Sequence, residues 1–545
     1  TDAGGRLMAG LGRASATVAA GTMASRITGL IRNIALAAAL PVVAGGAADA
    51  FAVANALPNT VFNLISSGLL AGVIVPQIVK AVRTHDDRGD AFVSKLLTLG
   101  MVVMTVVTAI AVVGAPVLIF LYGGRFSPEQ QALTLALAYW CIPQVLFYGL
   151  YALVGEILNA NRVFGPYAWS PIVNNVVSIL GFSAFIWMFG PHTEVTGWTP
   201  GMVAVLGGTA TAGIVLQAVI LLFFWRRAGL RVRPDFHWRG LGLGDIGRLA
   251  GWTFLMVVVG QVAGVFQVNI VGAASGTFAA NASLQFAWLL FMLPFSVIVL
   301  SLGTPYYTRL SEHVAEGRTD EVTRDLASLT RTVGIFMVGV LAAMVAAIVP
   351  LSRIFADSPD KAVTFAAVLG AYLVALLPLS FQFGLQRTFY ALKDTRTPFV
   401  YTLVQAVLVV ASALTASALV GAGLLPLAWL AVAIALGQSV ANIVQFSLAV
   451  TLLRRKIGPL GLGGAARAVA RFLLAAVPAL AAGVGAFLWS GGVSGWTTTN
   501  GLTGFLGAAL IGGVTLAVYA AVLAAFRTPE LATAGRALRR FLPGR

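Results

Sequence analysis

Ser25, Arg26 and Arg32 lie in the stretch ASRITGLIRN (residues 24–33), inside the first long apolar run of the chain. An arginine in such a run is costly unless it snorkels to a headgroup, pairs with an acid or lines a wet cavity. On a helix the two arginines would stand about 9 Å apart along the axis and ~120° apart around it. They form no single stripe and cannot both face lipid at low cost. With Ser25, Thr28 and Asn33 beside them, they read as lining a wet central cavity. Two guanidiniums in a cavity call for an anion, and their planar, permanently charged forks suit phosphate.

Further polar residues punctuate the later runs. Asp49, in GGAADAF, is either an N-cap carboxylate or a counter-charge that pairs with an arginine while the site is empty. Asn55, Asn59 and Asn63 recur every four residues and give the second run one polar face. Gln144 and Glu156 polarise the fourth run, Asn174 and Asn175 the fifth, and Gln261, Gln267 and Asn269 the seventh. Gln285 and Arg387 are additional candidates for the cavity, with Gln382, Gln386 and Gln405. Amides this plentiful read as a hydrated route for a polar headgroup.

The residues needed for an enzyme are scarce. The four histidines, His85, His192, His237 and His313, are far apart in sequence, and none has metal-ligand spacing with cysteines or carboxylates. Cys141, the single cysteine, allows no intramolecular disulfide and reads as a small buried side chain. No Walker A sequence occurs, and GLGLG at 240–244 follows an arginine cluster rather than a strand. The 60 glycines are better explained by close helix packing. A transporter without metal or cofactor is expected.

The elements that must position these residues follow from composition. The chain has 545 residues, 59% hydrophobic and 10% charged, with a mean hydropathy of +0.90. A soluble protein carries about 25% charged residues, so this is an all-α integral membrane protein. Its charge of +16 is spread over short loops, where it sets topology rather than binding nucleic acid. Windows of ~20 apolar residues give about fourteen spans, near 14–40, 50–80, 92–121, 129–159, 165–190, 201–225, 246–274, 280–308, 327–352, 362–391, 398–421, 426–452, 464–490 and 502–526. Gly or Pro interrupts many of them, as Pro58, Pro143, Pro294 and Pro378 do. Loops after even-numbered spans hold most of the Lys and Arg, such as Lys80, Arg83, Arg88 and Lys95, whereas those after odd-numbered spans hold only Arg125, Arg353 and Lys361. Both termini are therefore expected in the cytoplasm.

Three short anchors recur at offsets of 234–236 residues: ALP at 56–58 and MLP at 292–294, Ala-Pro at 115–116 and Val-Pro at 349–350, LNANR at 158–162 and LKDTR at 392–396. They imply two six-helix halves of parallel topology around a central cavity, plus two extra C-terminal helices. The expected organisation is a cytoplasmic segment 1–13, bundles at 14–226 and 246–453 joined by a basic linker 227–245, added helices at 464–526 and a basic tail 527–545.

ASRITGLIRN, ADAFAVANALPN, SSGLLAGVIVPQ, EILNANRVFGP and YALKDTRTP together resemble the MurJ (MviN) lipid II flippases of the multidrug/oligosaccharidyl-lipid/polysaccharide exporter superfamily, over about residues 14–527. The resemblance implies export of undecaprenyl-diphosphate-linked disaccharide-pentapeptide from the inner to the outer leaflet of a bacterial cell membrane by alternating access. It carries over Arg26 and Arg32 as the span 1 arginines, Asp49 as the acid of DAF and Asn59 as the amide of LPN. The two added spans would form a groove for the polyprenyl tail. The chain departs from the family pattern where Phe62, Asn63 and Leu289 stand at or beside positions that commonly hold arginine. Membrane lipids and other cell-wall synthesis or division proteins are the remaining expected partners. Two alternatives have a place: export of another polyprenyl-linked glycan or a drug-like cation, and a non-transporting scaffold that recruits cell-wall proteins through its basic tail.

Overall fold

A computed structural model of the chain describes residues 2–69, 90–161, 163–225, 233–237, 243–528 and 530–531. The far end of span 2, the loop residues Lys80, Arg83 and Arg88, most of the basic linker and the tail from 532 lie outside the described residues.

The described elements are helices. They are α1 (Asp2–Ala39), α2 (Gly46–Leu69), α3 (Asp90–Val113), α4 (Ala115–Gly123), α5 (Pro128–Cys141), α6 (Gln144–Ala160), α7 (Gly165–Phe189), α8 (Pro200–Phe223), α9 (Leu243–Val271) and α10 (Asn281–Pro294). A π turn, Phe295–Val299, leads into α11 (Leu300–Ala315). There follow α12 (Thr319–Ala346), α13 (Ile348–Arg353), α14 (Pro359–Leu373), α15 (Leu376–Ala391), α16 (Arg396–Gly421), α17 (Leu430–Ile457), α18 (Gly463–Trp489) and α19 (Gly501–Ala525).

Twelve spans among the described residues are long and apolar enough to cross a membrane, and they coincide with the third to fourteenth spans read from sequence. α1 and α2 are helices at the places of the first two of the expected fourteen. Both are long, but their arginines and asparagines keep them below the apolarity of the other twelve. The two helices with most of the expected site residues are thus the two expected spans that fall short of that apolarity.

Proline acts unevenly. Pro143 falls at the break between α5 and α6, and Pro294 closes α10 just before the π turn, where a missing N–H loosens the hydrogen-bond ladder. Pro58 sits inside α2 without ending it. The sequence repeat reappears in the order of elements. α4, α5, α6 and α7 run as short helix, broken pair and long helix, and α13, α14, α15 and α16 do the same. Even the caps repeat. Ser127 accepts from the Gln130 N–H (3.2 Å) and Ser358 from the Lys361 N–H (3.4 Å), each before a proline at the first helical position.

By its internal packing the chain divides into two compact units, Thr1–Pro41 with Gly45–Gln261 and Val42–Ala44 with Val262–Arg545. In the first, α1 lies along α7, α7 along α8, and α2 against α5 and α6. Val93, Leu96, Leu153 and Ile157 pack α3 on α6, and the rings of Phe51 and Phe182 meet edge to face at 6.2 Å.

In the second unit α11, α15, α18 and α19 all pack on α12. Phe472 and Ala475 of α18 and Tyr519 of α19 close over Ile335 and Val338, and the Tyr519 hydroxyl donates to the Ile335 carbonyl at 3.0 Å. Arg353 ties the same helices down at their connection. It is buried, its Nε and Nη2 donate to the carbonyls of Thr498 and Thr499, both at 2.8 Å, and its Nη1 donates to the Ala356 carbonyl.

Candidate functional site

α1 meets α7 through small residues. A Cβ at Gly21 would come within 2.8 Å of the Trp169 ring, and Gly29 opens directly onto the side chain of Asn175. Asn175 uses that access. Its Nδ2 donates to the Ser25 carbonyl and to the Thr28 hydroxyl, both at 3.0 Å. Thr28 in turn donates to the Ala24 carbonyl at 2.9 Å. One amide of α7 thereby holds the turn of α1 that carries Arg26, one turn before Arg32.

The exposed apolar side chains of this stretch, Met23, Ile27 and Ile31, follow one another every four residues. Four-residue spacing makes one helix face. Arg26 and Arg32 are off that stripe and half-buried. Arg32 reaches polar company: its Nη2 donates to Asn33 Oδ1 at 3.3 Å, and Tyr148 of α6 lies within electrostatic range of its charge. The Tyr148 hydroxyl is 3.5 Å from Gln144 Oε1, while Gln144 Nε2 donates to the Thr211 hydroxyl of α8 at 2.9 Å. On its other side Tyr148 packs with Phe62 of α2, ring centroids 5.8 Å apart. Tyr148 and Phe62 therefore join α6 to α2, and an aromatic ring stands beside Tyr148 where members of the resembled family commonly hold an arginine.

Asp49 is buried in the first turn of α2, three residues after the helix begins at Gly46, so it is not the N-cap residue. A carboxylate there is favoured by the positive end of the helix dipole. The turn is fixed from outside by Gln130, whose Nε2 donates to the Gly46 carbonyl at 2.8 Å, and by the Ala47 N–H, which donates to the Thr193 carbonyl at 3.2 Å. Asn55 and Asn63 are half-buried and Asn59 is exposed. Gln261 Nε2 donates to the Thr60 carbonyl on the same helix at 3.5 Å.

Gln285 and Arg387 belong to the second unit. Gln285 is exposed on α10, and Arg387 is half-buried on α15, its guanidinium over the rings of Phe383 and Tyr307. The same unit contains a chain of amides: Gln267 donates to Gln438 (3.2 Å), and Gln438 (3.2 Å) and Gln405 (3.4 Å) both donate to Asn442. Sequence reading marked Gln267 and Gln405 but missed Gln438 and Asn442, although their four-residue spacing on α17 was a readable polar face. Tyr148 gave no signal, since a tyrosine in an apolar run is ordinary. Among the described residues no three His, Cys, Asp or Glu gather as metal ligands.

The arrangement can hold an anion. A half-buried guanidinium beside the Asn33 amide supplies charge-assisted donors.

Comparison with known proteins bears on which anion. Residues 39–508 match the family model described as "Lipid II flippase MurJ". A "Probable lipid II flippase MurJ" of Synechocystis is 24% identical over 97% of each chain. One of Haemophilus influenzae is 26% identical over 69% of this chain and 75% of its own. Among solved structures, "Lipid II flippase MurJ, inward closed conformation" superposes with a TM-score of 0.71 at 19% identity, over 93% of this chain and 98% of that one. A multidrug resistance MATE family transporter of the MOP superfamily shares the fold at a TM-score of 0.63 and 16% identity, over 80% of this chain and 95% of that one.

Proposed function

The chain belongs to the lipid II flippase MurJ family, and on that premise we propose that it moves lipid II from the inner to the outer leaflet, with Arg26 and Arg32 gripping the diphosphate. As a member of that family it is a multi-pass membrane transporter and not an enzyme. The observation that carries the grip is the setting of Arg32: half-buried, off the exposed apolar stripe of α1, and hydrogen-bonded to Asn33.

The planar fork of arginine matches two phosphate oxygens at once, which a lysine ammonium does not. Asn55, Asn59 and Asn63 on α2, with Ser25 on α1, supply donors and acceptors suited to the sugar and peptide. Asp49 acts as the counter-charge of the unloaded state. Both termini lie in the cytoplasm, a reading supported by the basic loops after even-numbered spans.

The test is the sidedness of lipid II in cells depleted of the protein and complemented with wild type, Arg32→Lys or Arg32→Ala, read with a membrane-impermeant reagent. Depletion is expected to trap lipid II inside and wild type to restore it. At equal expression Arg32→Ala should restore roughly a tenth or less, the scale of one charge-assisted contact, with Arg32→Lys between. Full restoration by the double variant Arg26→Ala/Arg32→Ala would remove the grip from these residues. An outward fraction that never responds to depletion, in cells with no second flippase, would remove the substrate.

A further inference from the structure

Arg387 stands four residues before Ala391, the end of α15, about 6 Å inside the end of its span. Its guanidinium carbon is 4.9 Å from the centroid of Phe383 and 5.1 Å from that of Tyr307 on α11. The stack is well seated. Phe383 fits against α11 because Gly303 leaves room, since a Cβ there would come within 2.2 Å of the ring. Phe295 of the π turn meets Phe383 edge to face at 6.3 Å.

Rings that cover a guanidinium leave its N–H donors pointing outward in the plane. Among the described residues no acceptor takes those donors and no carboxylate pairs with Arg387. Two carboxylates carried by neighbouring segments are already engaged. Asp394, just beyond the end of α15, is bound by Lys456 and by Thr397. Asp325, on α12, is held by Arg309 and lies 3.2 Å from His313 Nδ1. Beyond the helix end the exposed side chains are again cationic, Lys393 and Arg396. A half-buried fork with open in-plane donors, at the depth of the bilayer boundary and beside two more cations, calls for an anion from outside the chain.

We propose that α11 and α15 form a headgroup site for an anionic phospholipid, with Arg387 gripping the phosphate in the plane of its fork and Lys393 and Arg396 adding long-range attraction. The site is distinct from the diphosphate grip proposed on α1 and does not rest on the identity of the transported lipid. A phosphate at this position could come from a resident phospholipid or from a polyprenyl diphosphate, and the assignment here is to the resident lipid.

The experiment uses the full chain purified in mild detergent from mixed phosphatidylglycerol and phosphatidylcholine. Retained lipid is counted by mass spectrometry after washing, with thermal melting to check folding. Wild type should retain phosphatidylglycerol selectively. Arg387→Gln should weaken that retention about tenfold, the scale of a bidentate charge-assisted contact. Arg387→Lys, which keeps the charge without the fork, and Tyr307→Leu, which loosens the stack, should fall between. Arg454→Gln, at the exposed end of α17, should match wild type. Should Arg387→Gln fail to fold, the other two variants read the same site. Unchanged retention in Arg387→Gln, or an equal loss in Arg454→Gln, would overturn the proposal. So would loss of undecaprenyl diphosphate binding with phosphatidylglycerol retention intact, which would give the site to the transported lipid.

Discussion

Asn175 governs a contact worth more than its own packing. Its single amide nitrogen serves both the Ser25 carbonyl and the Thr28 hydroxyl, and of the arginines proposed as the grip Arg26 sits within that turn and Arg32 one turn beyond it. Hydrogen bonds between spanning helices are worth only about 0.6 kcal/mol each, so Asn175→Leu should cost about 1 kcal/mol in stability. Its effect on transport should be larger in proportion. Without the anchor α1 can rotate against α7, and outward lipid II is expected to fall several-fold at a nearly unchanged melting temperature. Equal transport by Asn175→Leu and wild type would reduce the residue to packing. The sequence showed that span 5 holds two polar residues needing partners, but not which helix provides them. A polar residue in an apolar run announces a requirement, and only packing says how it is met.

At the scale of elements, the apolar runs made all fourteen expected spans legible, twelve of them helices apolar enough to cross a membrane, because crossing a bilayer leaves little choice of composition. In α1 and α2 the run was also informative about the site, since Arg or Asn interrupting an apolar stretch is expensive and calls for a reason. What the runs did not show was how elements are clasped, and Arg353 is the example. Counted by position it is one of the few basic residues after an odd-numbered span. In the fold it is buried, and it hydrogen-bonds the carbonyls of Thr498 and Thr499, which join α18 to α19, and that of Ala356. Three differently directed donors need a guanidinium, and an ammonium cannot reproduce the fork. Arg353→Ala should therefore cost about 2–4 kcal/mol, since buried carbonyls lose charged donors. Arg353→Lys should recover less than half of that. Thermal melting of the purified protein and protease cleavage between α18 and α19 would register both. Full rescue by lysine would mean that charge alone, and not the fork, secures the added helices.

On the scale of the whole molecule, the two halves repeat the order of their helices but not their charges. In the LKDTR turn Asp394 accepts from Lys456 at the end of α17 and from the backbone N–H and hydroxyl of Thr397. In the LNANR turn Ala160 stands at the equivalent place. Burial alone would raise the Asp394 pKa, yet the bonds from Lys456 and Thr397 outweigh it and hold the carboxyl below its ordinary value. A carboxyl lowered in the folded state contributes fully above its unfolded value of about 4 and loses that contribution as the pH falls through the lower folded value. The turn between α15 and α16 should accordingly keep its protection from pH 8 to 5 and lose it below about pH 4. The turn between α6 and α7 lacks such a carboxyl and should show no step. Because Lys456 is partly exposed, the bridge is worth under about 1 kcal/mol, too little to unfold a unit but enough to open one turn. Hydrogen exchange across both turns at pH 7, 5 and 3.5 would separate them, with Asp394→Asn expected to abolish the acid step. A matching step at both turns would trace acid sensitivity to something the halves share, and not to the one carboxylate that distinguishes them.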